Sequence, residues 1–203
     1  MYNRQWRAWQ SAEYDEARLL WCRESFNREN PEALFTLADA ALGKAVKGKE
    51  TAEAVYNMEK AAKLGHAQAA LAMGELFQYG WAVHRSQRMS LEWYEKAAAA
   101  GSAAAMCDLG VCYERGEGVE QSWEKAAELY RKAADRENAA GQCNLGFLYE
   151  IGRGVEQSWT EAVKWYGAAA RQGMPRAQCN LGWCYEHGKG VEKNEKRAVH
   201  WYA

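Results

Sequence analysis

Proline is scarce in this chain of 203 residues, which contains two, Pro31 and Pro175. Long runs of β-branched residues with a period of two are also missing, whereas Ala, Glu, Lys, Leu and Tyr are abundant. Residues of this kind favour helices, and without the alternating runs there is little basis for strands. The composition therefore predicts an all-α protein.

The sequence also lacks an excess of charge and any long apolar run. The formal net charge is −1, with no cluster of Lys or Arg, so we expect no nucleic-acid partner. No apolar stretch reaches the roughly 18 to 20 residues that span a bilayer, so we expect no membrane insertion. The N-terminal stretch MYNRQWRAWQSAEY has no apolar signal region or cleavage site. These features predict a cytoplasmic protein, with a periplasmic or secreted one as the alternative if a signal peptide has been removed.

What the chain does contain is a repeat of 36 residues. The hexapeptide GVEQSW begins at Gly118 and again at Gly154. At the same offset CDLGVCYERGEGV, CNLGFLYEIGRGV and CNLGWCYEHGKGV align, with weaker copies before them. Such a period is typical of stacked helical units. We predict one continuous solenoid domain with an N-terminal helical cap or helix-B remnant (1–30), a degenerate repeat (31–66), three repeats (67–102, 103–138, 139–174) and an incomplete C-terminal repeat (175–203).

Each repeat has the pattern of two helices, A and B, and GVEQSW fits the turn between them. In the repeat at 103–138, the third of the array when the degenerate one is counted, the apolar spacing predicts helix A at 103–115 and helix B at 123–136. A glycine follows helix A where a left-handed residue is favoured, and Ser or Asn precedes helix B as an N-cap. A further glycine lies inside helix A, which predicts a close approach to a neighbouring helix. The glycines after helix A are Gly116, Gly152 and Gly188; the caps are Ser86, Ser122, Ser158 and Asn194; the internal glycines are Gly74, Gly110, Gly146 and Gly182.

The combination A-x-x-x-L-G-x-x-Y-x-x-G-x-G-V followed by A-x-x-x-Y-x-x-A-A-x-x-G resembles the Sel-1-like repeat (SLR) family, which is related to tetratricopeptide repeats. The resemblance covers about 31–203. It implies an α/α right-handed superhelical solenoid of 36-residue helix-turn-helix repeats that acts as an adaptor between proteins. The family usually has Asp at the cap before helix B, where this chain has Ser or Asn.

No catalytic or metal-binding arrangement emerges from the sequence. A cysteine-rich branch of the family joins its helices through C-x7-C disulfides, but no two of the six cysteines here have that spacing, so we expect free thiols. Cys184 and His187 lie three residues apart, yet no third ligand or orienting carboxylate accompanies them. The SWEK stretch at Ser122 matches S-x-x-K without the companion motifs of penicillin-recognising enzymes. We expect a non-enzymatic protein with no metal and no cofactor.

Partner binding is expected on helix A, which lines the concave surface in tetratricopeptide-like solenoids. One column of helix A changes from acidic to aromatic along the repeats: Asp39, Glu75, Val111, Phe147 and Trp183. Such a gradient fits a graded groove for a protein or peptide, although the two aromatic residues could equally pack against adjacent repeats. Asn and basic residues nearby could hold a peptide backbone or a carboxylate, or the Asn side chains could support the fold. The predicted binding residues are Glu75, Val111, Arg115, Asn144, Phe147, Arg176, Asn180, Trp183 and His187.

Two alternatives to a peptide-binding scaffold remain. The chain stops at HWYA, midway through the last helix B and without a polar capping helix, so either the native chain continues past residue 203 or a homo-oligomer forms through this C-terminal end. In the latter case the protein would be a self-association module. The other alternative, a hydrolase-like enzyme, needs a nucleophile and a base in one pocket, and the sequence offers no such pair.

Overall fold

The computed structural model describes residues 30–44 and 49–203, and all regular elements within them are α-helices. The predicted all-α fold of helix pairs is confirmed for these residues. The predicted N-terminal cap falls on residues 1–29, outside the described part of the chain.

The helices belong to two compact units, Met1–Ala100 and Gly101–Ala203. In the first unit each described helix contacts the next in the chain. Its described helices are α1 (Pro31–Lys44), α2 (Lys49–Lys63), α3 (Ala67–Tyr79) and α4 (Gln87–Ala99).

The second unit contains three successive helix pairs. Each of its helices again contacts the next, and α5 also contacts α7, so helix A of one repeat touches helix A of the following repeat. The helices are α5 (Ala103–Arg115), α6 (Trp123–Ala134), α7 (Ala139–Ile151), α8 (Trp159–Arg171), α9 (Pro175–His187) and α10 (Glu195–Tyr202). Helix A of the third repeat has the predicted bounds, and helix B ends two residues earlier than predicted.

The glycine inside helix A makes room for the tyrosine of helix B in the same repeat. A Cβ built on Gly110 would lie 2.6 Å from the Tyr130 ring, and one on Gly146 would lie 2.9 Å from the Tyr166 ring. Both tyrosines are fully buried. The expected close approach is therefore confirmed, and the gain from packing an aromatic ring offsets the roughly 1 kcal/mol that Gly costs in a helix.

A carboxylate one turn after each glycine satisfies the buried hydroxyl. Tyr130 donates to Glu114 at 2.6 Å and Tyr166 donates to Glu150 at 2.6 Å. Burial, first of all, and then the adjacent carboxylate raise the pKa of both tyrosines, so their hydroxyls stay protonated and keep donating. Gly, Glu and Tyr thus form one packing unit that is repeated along the array.

The GVEQSW turn ends one helix and starts the next, as predicted. Gly116 and Gly152 adopt left-handed φ angles of 70° and 67° after helix A. Ser158 Oγ accepts from the backbone N–H of Glu161 and so caps helix B. The reciprocal bond of a capping box is not formed, because the Ser158 N–H instead donates to the Tyr149 carbonyl at 2.9 Å.

The glutamine of GVEQSW has a role that the sequence did not predict. Gln121 Nε2 donates to the Glu114 carbonyl at 2.7 Å, and Gln157 Nε2 donates to the Glu150 carbonyl at 2.8 Å. Each glutamine satisfies a carbonyl in the last turn of helix A, where no backbone N–H is available. The serine and the glutamine of GVEQSW thus act within one repeat, whereas its glycine, the second of the Gly-x-Gly pair, contacts the neighbouring repeat.

That second glycine packs against helix B of the preceding repeat. A Cβ built on Gly154 would overlap the backbone carbonyl of Trp123, because the two groups would lie closer together than a Cβ and a backbone atom do in real structures. Gly190 stands in the same relation to Trp159. Their φ angles, 68° and 70°, also favour glycine. The Gly-x-Gly spacing therefore serves both the turn and the junction between repeats.

Candidate functional site

The candidate site in the second unit is formed by the first helices of its three repeats, α5, α7 and α9. We call the predicted binding positions on these helices, together with Asp108, the helix-A face. It comprises Asp108, Val111, Arg115, Asn144, Phe147, Arg176, Asn180, Trp183 and His187. Glu75, the remaining predicted residue, lies partly buried on α3 in the first unit.

Trp183 is the most exposed large apolar side chain of the helix-A face. Its ring is 38% exposed and stacks on Trp159 at 5.7 Å and on His187 at 4.4 Å between ring centroids. The His187 ring nitrogen Nδ1 also lies 3.0 Å from the Trp183 carbonyl. Three rings fixed in this way form a rigid apolar platform that loses little side-chain entropy when a partner covers it.

Phe147 and Val111 occupy the same column but are only partly exposed. Phe147 packs against the core cluster that includes Cys143, Ala162 and Tyr166. Packing and surface roles are therefore divided along the column: Phe147 contributes to the core, whereas Trp183 leaves much of its ring in solvent.

The asparagine and basic residues form a ladder across successive repeats. Arg176 Nη2 donates to Asn144 Oδ1 at 2.9 Å, and Asn144 Nδ2 approaches Cys107 Sγ at 3.6 Å. Asn144 thus links three repeats, which supports the interpretation of this residue as part of the fold. Arg176 itself is exposed, and its guanidinium also hydrogen-bonds the Cys143 thiol.

The remaining predicted residues lie apart from this ladder. Arg115 is exposed and forms an ion pair with Glu117 at 3.6 Å, at the end of α5. Asn180 is partly exposed one turn before Trp183. Trp183 and His187 thus form one cluster, and Asn144 and Arg176 form another.

Cations lie over the rings of the tryptophans that begin helix B in two repeats. The Arg153 guanidinium lies 4.7 Å above the Trp123 ring, and the Lys189 ammonium lies 5.7 Å above the Trp159 ring. In both cases the cation comes from the turn of the following repeat. The signal that could have revealed this pairing is the recurrence of a basic residue inside Gly-x-Gly-Val at Arg153 and Lys189.

The Sel1 repeat model matches residues 31–66, 67–102, 103–138, 139–174 and 175–203, which together make up most of the chain. The chain belongs to the Sel1 repeat family. None of the curated proteins compared with it matches. Sel1 repeat proteins are generally protein-interaction scaffolds, and the repeat solenoid is typically non-catalytic.

Solved structures agree with the family. A protective antigen of uropathogenic Escherichia coli with an SLR fold, c5321, is 29% identical over 91% of this chain, with a TM-score of 0.84. The chain spans 39% of that antigen's length. A Sel1 repeat protein from Oxalobacter formigenes is 28% identical over 92% of this chain and 74% of its own, with a TM-score of 0.80. Cysteine-rich protein B of Helicobacter pylori is 27% identical over 66% of this chain and 96% of its own, with a TM-score of 0.52.

Within these Sel1 repeats most of the described cysteines contribute to the core. The five described cysteines are free thiols, and four of them are buried. Burial raises the pKa of Cys112 to about 12 and that of Cys184 to about 11, which makes both thiols poor nucleophiles at neutral pH. Cys184 is in the core while His187 stacks on Trp183, so the two do not form a catalytic pair. Cys179 differs, because its thiol is exposed on α9.

Asp108 is a feature of the Sel1 array that sequence reasoning did not single out as a binding residue. It lies at the position of Asn144 and Asn180 in the following repeats. Burial raises the pKa of its carboxyl from 3.8 to about 7, and no described residue compensates with a hydrogen bond or a positive charge. The available signal was an acidic residue at a position that holds asparagine in the two following repeats.

Two further observations apply to the described ranges, 30–44 and 49–203. None of their helices combines the length and the apolar character that crossing a bilayer requires. Nor do three or more of their His, Cys, Asp and Glu side chains come together in a group suited to holding a metal ion.

Proposed function

We propose that this Sel1 repeat protein is a non-catalytic scaffold whose helix-A face binds an extended segment of another protein. The observation that carries this proposal is the Trp159–Trp183–His187 stack, in which an exposed tryptophan is held rigid by two neighbouring rings. Tryptophans held in this way dominate the energetics of many protein interfaces.

The surroundings of the stack also suit an extended segment. Asn180 lies one turn before Trp183, where its amide could hydrogen-bond a peptide backbone. The Arg176 guanidinium is exposed and carries five N–H donors, so beside its contacts with Asn144 and the Cys143 thiol it could donate to an acceptor of the partner. A segment lying along α9 could thus use an apolar anchor and two polar contacts on one helix face.

The test is a selection of random peptides on the immobilised protein, followed by measurement of their dissociation constants. We expect Trp183→Ala to weaken binding of the selected peptides at least about tenfold, as is usual for an interface hot spot. Lys132→Ala is the matched control, because Lys132 is exposed on helix B and its ammonium pairs with Glu128 on the same helix. Circular dichroism verifies that both variants fold. Equal affinity of the wild type and Trp183→Ala for every selected peptide would refute the proposal.

Self-association through the last repeat is the second candidate. Tyr202 is 47% exposed and Val199 is 67% exposed, whereas the equivalent tyrosines of the earlier repeats are fully buried. A second copy that covered this surface would bury both residues. This candidate requires a molar mass in solution that rises with protein concentration, whereas the scaffold proposal is independent of it.

A further inference from the structure

At one position of the helix-A face, Asp108, the cationic residue that contacts the equivalent side chain one repeat later is replaced by alanine. In the last two repeats Arg176 reaches back 32 residues to Asn144 and donates to its side-chain oxygen at 2.9 Å. The same relation one repeat earlier joins Asp108 to Ala140. Alanine has no group that could reach the carboxylate. The site therefore has the acceptor of the ladder without its donor.

The local environment leaves Asp108 partly exposed as a residue but its carboxyl poorly solvated. Asp108 is partly exposed on α5, which packs directly against α7, the helix that carries Ala140. Its neighbours one turn away on α5, Ala104, Val111 and Cys112, are small or apolar. The nearest cation along α5, Arg115, is already paired with Glu117.

We propose that Asp108 binds an arginine or lysine side chain of the protein segment that lies on the helix-A face. The inference rests on the proposed function and specifies the chemistry of the partner. The guanidinium or ammonium would take the place that Arg176 takes at Asn144. Burial disfavours the charged form of this carboxyl in the free protein, so a cation that arrives there stabilises the carboxylate in a weakly polar setting.

The distance between Asp108 and Trp183 is compatible with one segment. The two residues lie on α5 and α9, two repeats apart within the second unit. Neighbouring packed helices are separated by about 8–10 Å, and an extended peptide of about 12 residues spans up to roughly 40 Å. A single peptide can therefore place a basic residue on Asp108 and an apolar residue on Trp183.

A double-mutant cycle tests the proposal with peptides selected on the wild-type protein. We expect these peptides to contain Arg or Lys, and replacing that Arg by citrulline to weaken binding about tenfold. Asp108→Asn should weaken binding of the Arg peptide to the same degree and leave the citrulline peptide unaffected. Asn is compatible with the fold here, since it occupies the equivalent position at Asn144 and Asn180. Asp135→Asn, at an exposed residue that ends α6, is the matched control and should bind the Arg peptide as the wild type does.

A second variant tests the same site without removing its charge. Ala140→Arg places a guanidinium where Arg176 lies one repeat later, and it should block the Arg peptide by pairing with Asp108. Selected peptides that lack basic residues, or an Arg peptide that binds Asp108→Asn and Ala140→Arg as tightly as the wild type, would overturn the inference. If those peptides still depend on Trp183, the scaffold proposal stands while this one fails. If they depend on neither residue, both proposals fail.

Discussion

Gly154→Ala is expected to destabilise the protein by about 2–5 kcal/mol, a large loss for a substitution at a surface turn. A left-handed φ costs a non-glycine residue about 1–2 kcal/mol, and forcing an extra carbon into a packed contact costs about 1–3 kcal/mol. The contact is with the backbone carbonyl of Trp123, which cannot rotate away as a side chain would. The change should therefore separate the turn of one repeat from helix B of the repeat before it.

Two positions distinguish the backbone clash from the cost of the φ angle. Gly173 has a φ of 78° and nothing within 4 Å of a Cβ built on it, so Gly173→Ala should lose only the φ cost of about 1–2 kcal/mol. Ala82 occupies the column of Gly154 in the first unit with a φ of 58°, which shows that alanine is accommodated in this conformation. Urea denaturation followed by circular dichroism measures both losses. Equal losses for Gly154→Ala and Gly173→Ala would show that the junction contact contributes nothing.

Asp108→Asn is expected to stabilise the protein at neutral and alkaline pH by about 2–4 kcal/mol, since one pKa unit corresponds to about 1.4 kcal/mol. Burial raises the pKa of the folded carboxyl to about 7, above the value of about 3.9 in an unfolded chain. Between these values the folded protein retains a proton that the unfolded chain has lost. The wild type is thus most stable with respect to this group below about pH 4, loses that stability up to about pH 7, and then levels off.

The pH dependence of the difference between wild type and variant identifies the group responsible. Asp39, in the first unit, has a pKa raised to about 6 by burial, so some decline between about pH 4 and 6 should remain in Asp108→Asn. The difference in the free energy of unfolding between wild type and Asp108→Asn should therefore grow from pH 4 through pH 6 to pH 8. Wild type and Asp135→Asn should have the same free energy of unfolding at each pH. A constant difference across this range would mean that the Asp108 carboxyl is not desolvated in the folded protein.

The repeat length, the helix pairs and the caps could be predicted because each depends on residues close together in the sequence. Ser158 caps the helix that begins one residue later, and Gly152 ends the helix just before it. The 36-residue register also aligned Gly146 with its equivalents, which indicated a close helix contact, though not that Tyr166 fills it.

Contacts between repeats could not be predicted in the same way. Gly154 meets Trp123 across 31 residues, and Arg176 meets Asn144 across 32, so neither pair shares a local pattern. The column that contains Phe147 and Trp183 suggested one shared role. The structure separates the two, because Phe147 packs against the core of its repeat whereas Trp183 is left partly in solvent. Exposure depends on which neighbour covers a side chain, and a single helix pattern does not contain that information.

The most direct test of the proposed binding face uses Cys179 in the unmodified protein. This thiol is exposed on α9 and lies four residues before Trp183, so both side chains share one face of the helix. The alkylation rate of Cys179 by a maleimide, followed by site-resolved mass spectrometry, can be measured with and without a saturating selected peptide. If the partner lies on the helix-A face, the peptide slows alkylation of Cys179 strongly. An unchanged rate at saturation would contradict the account and place the partner elsewhere on the protein.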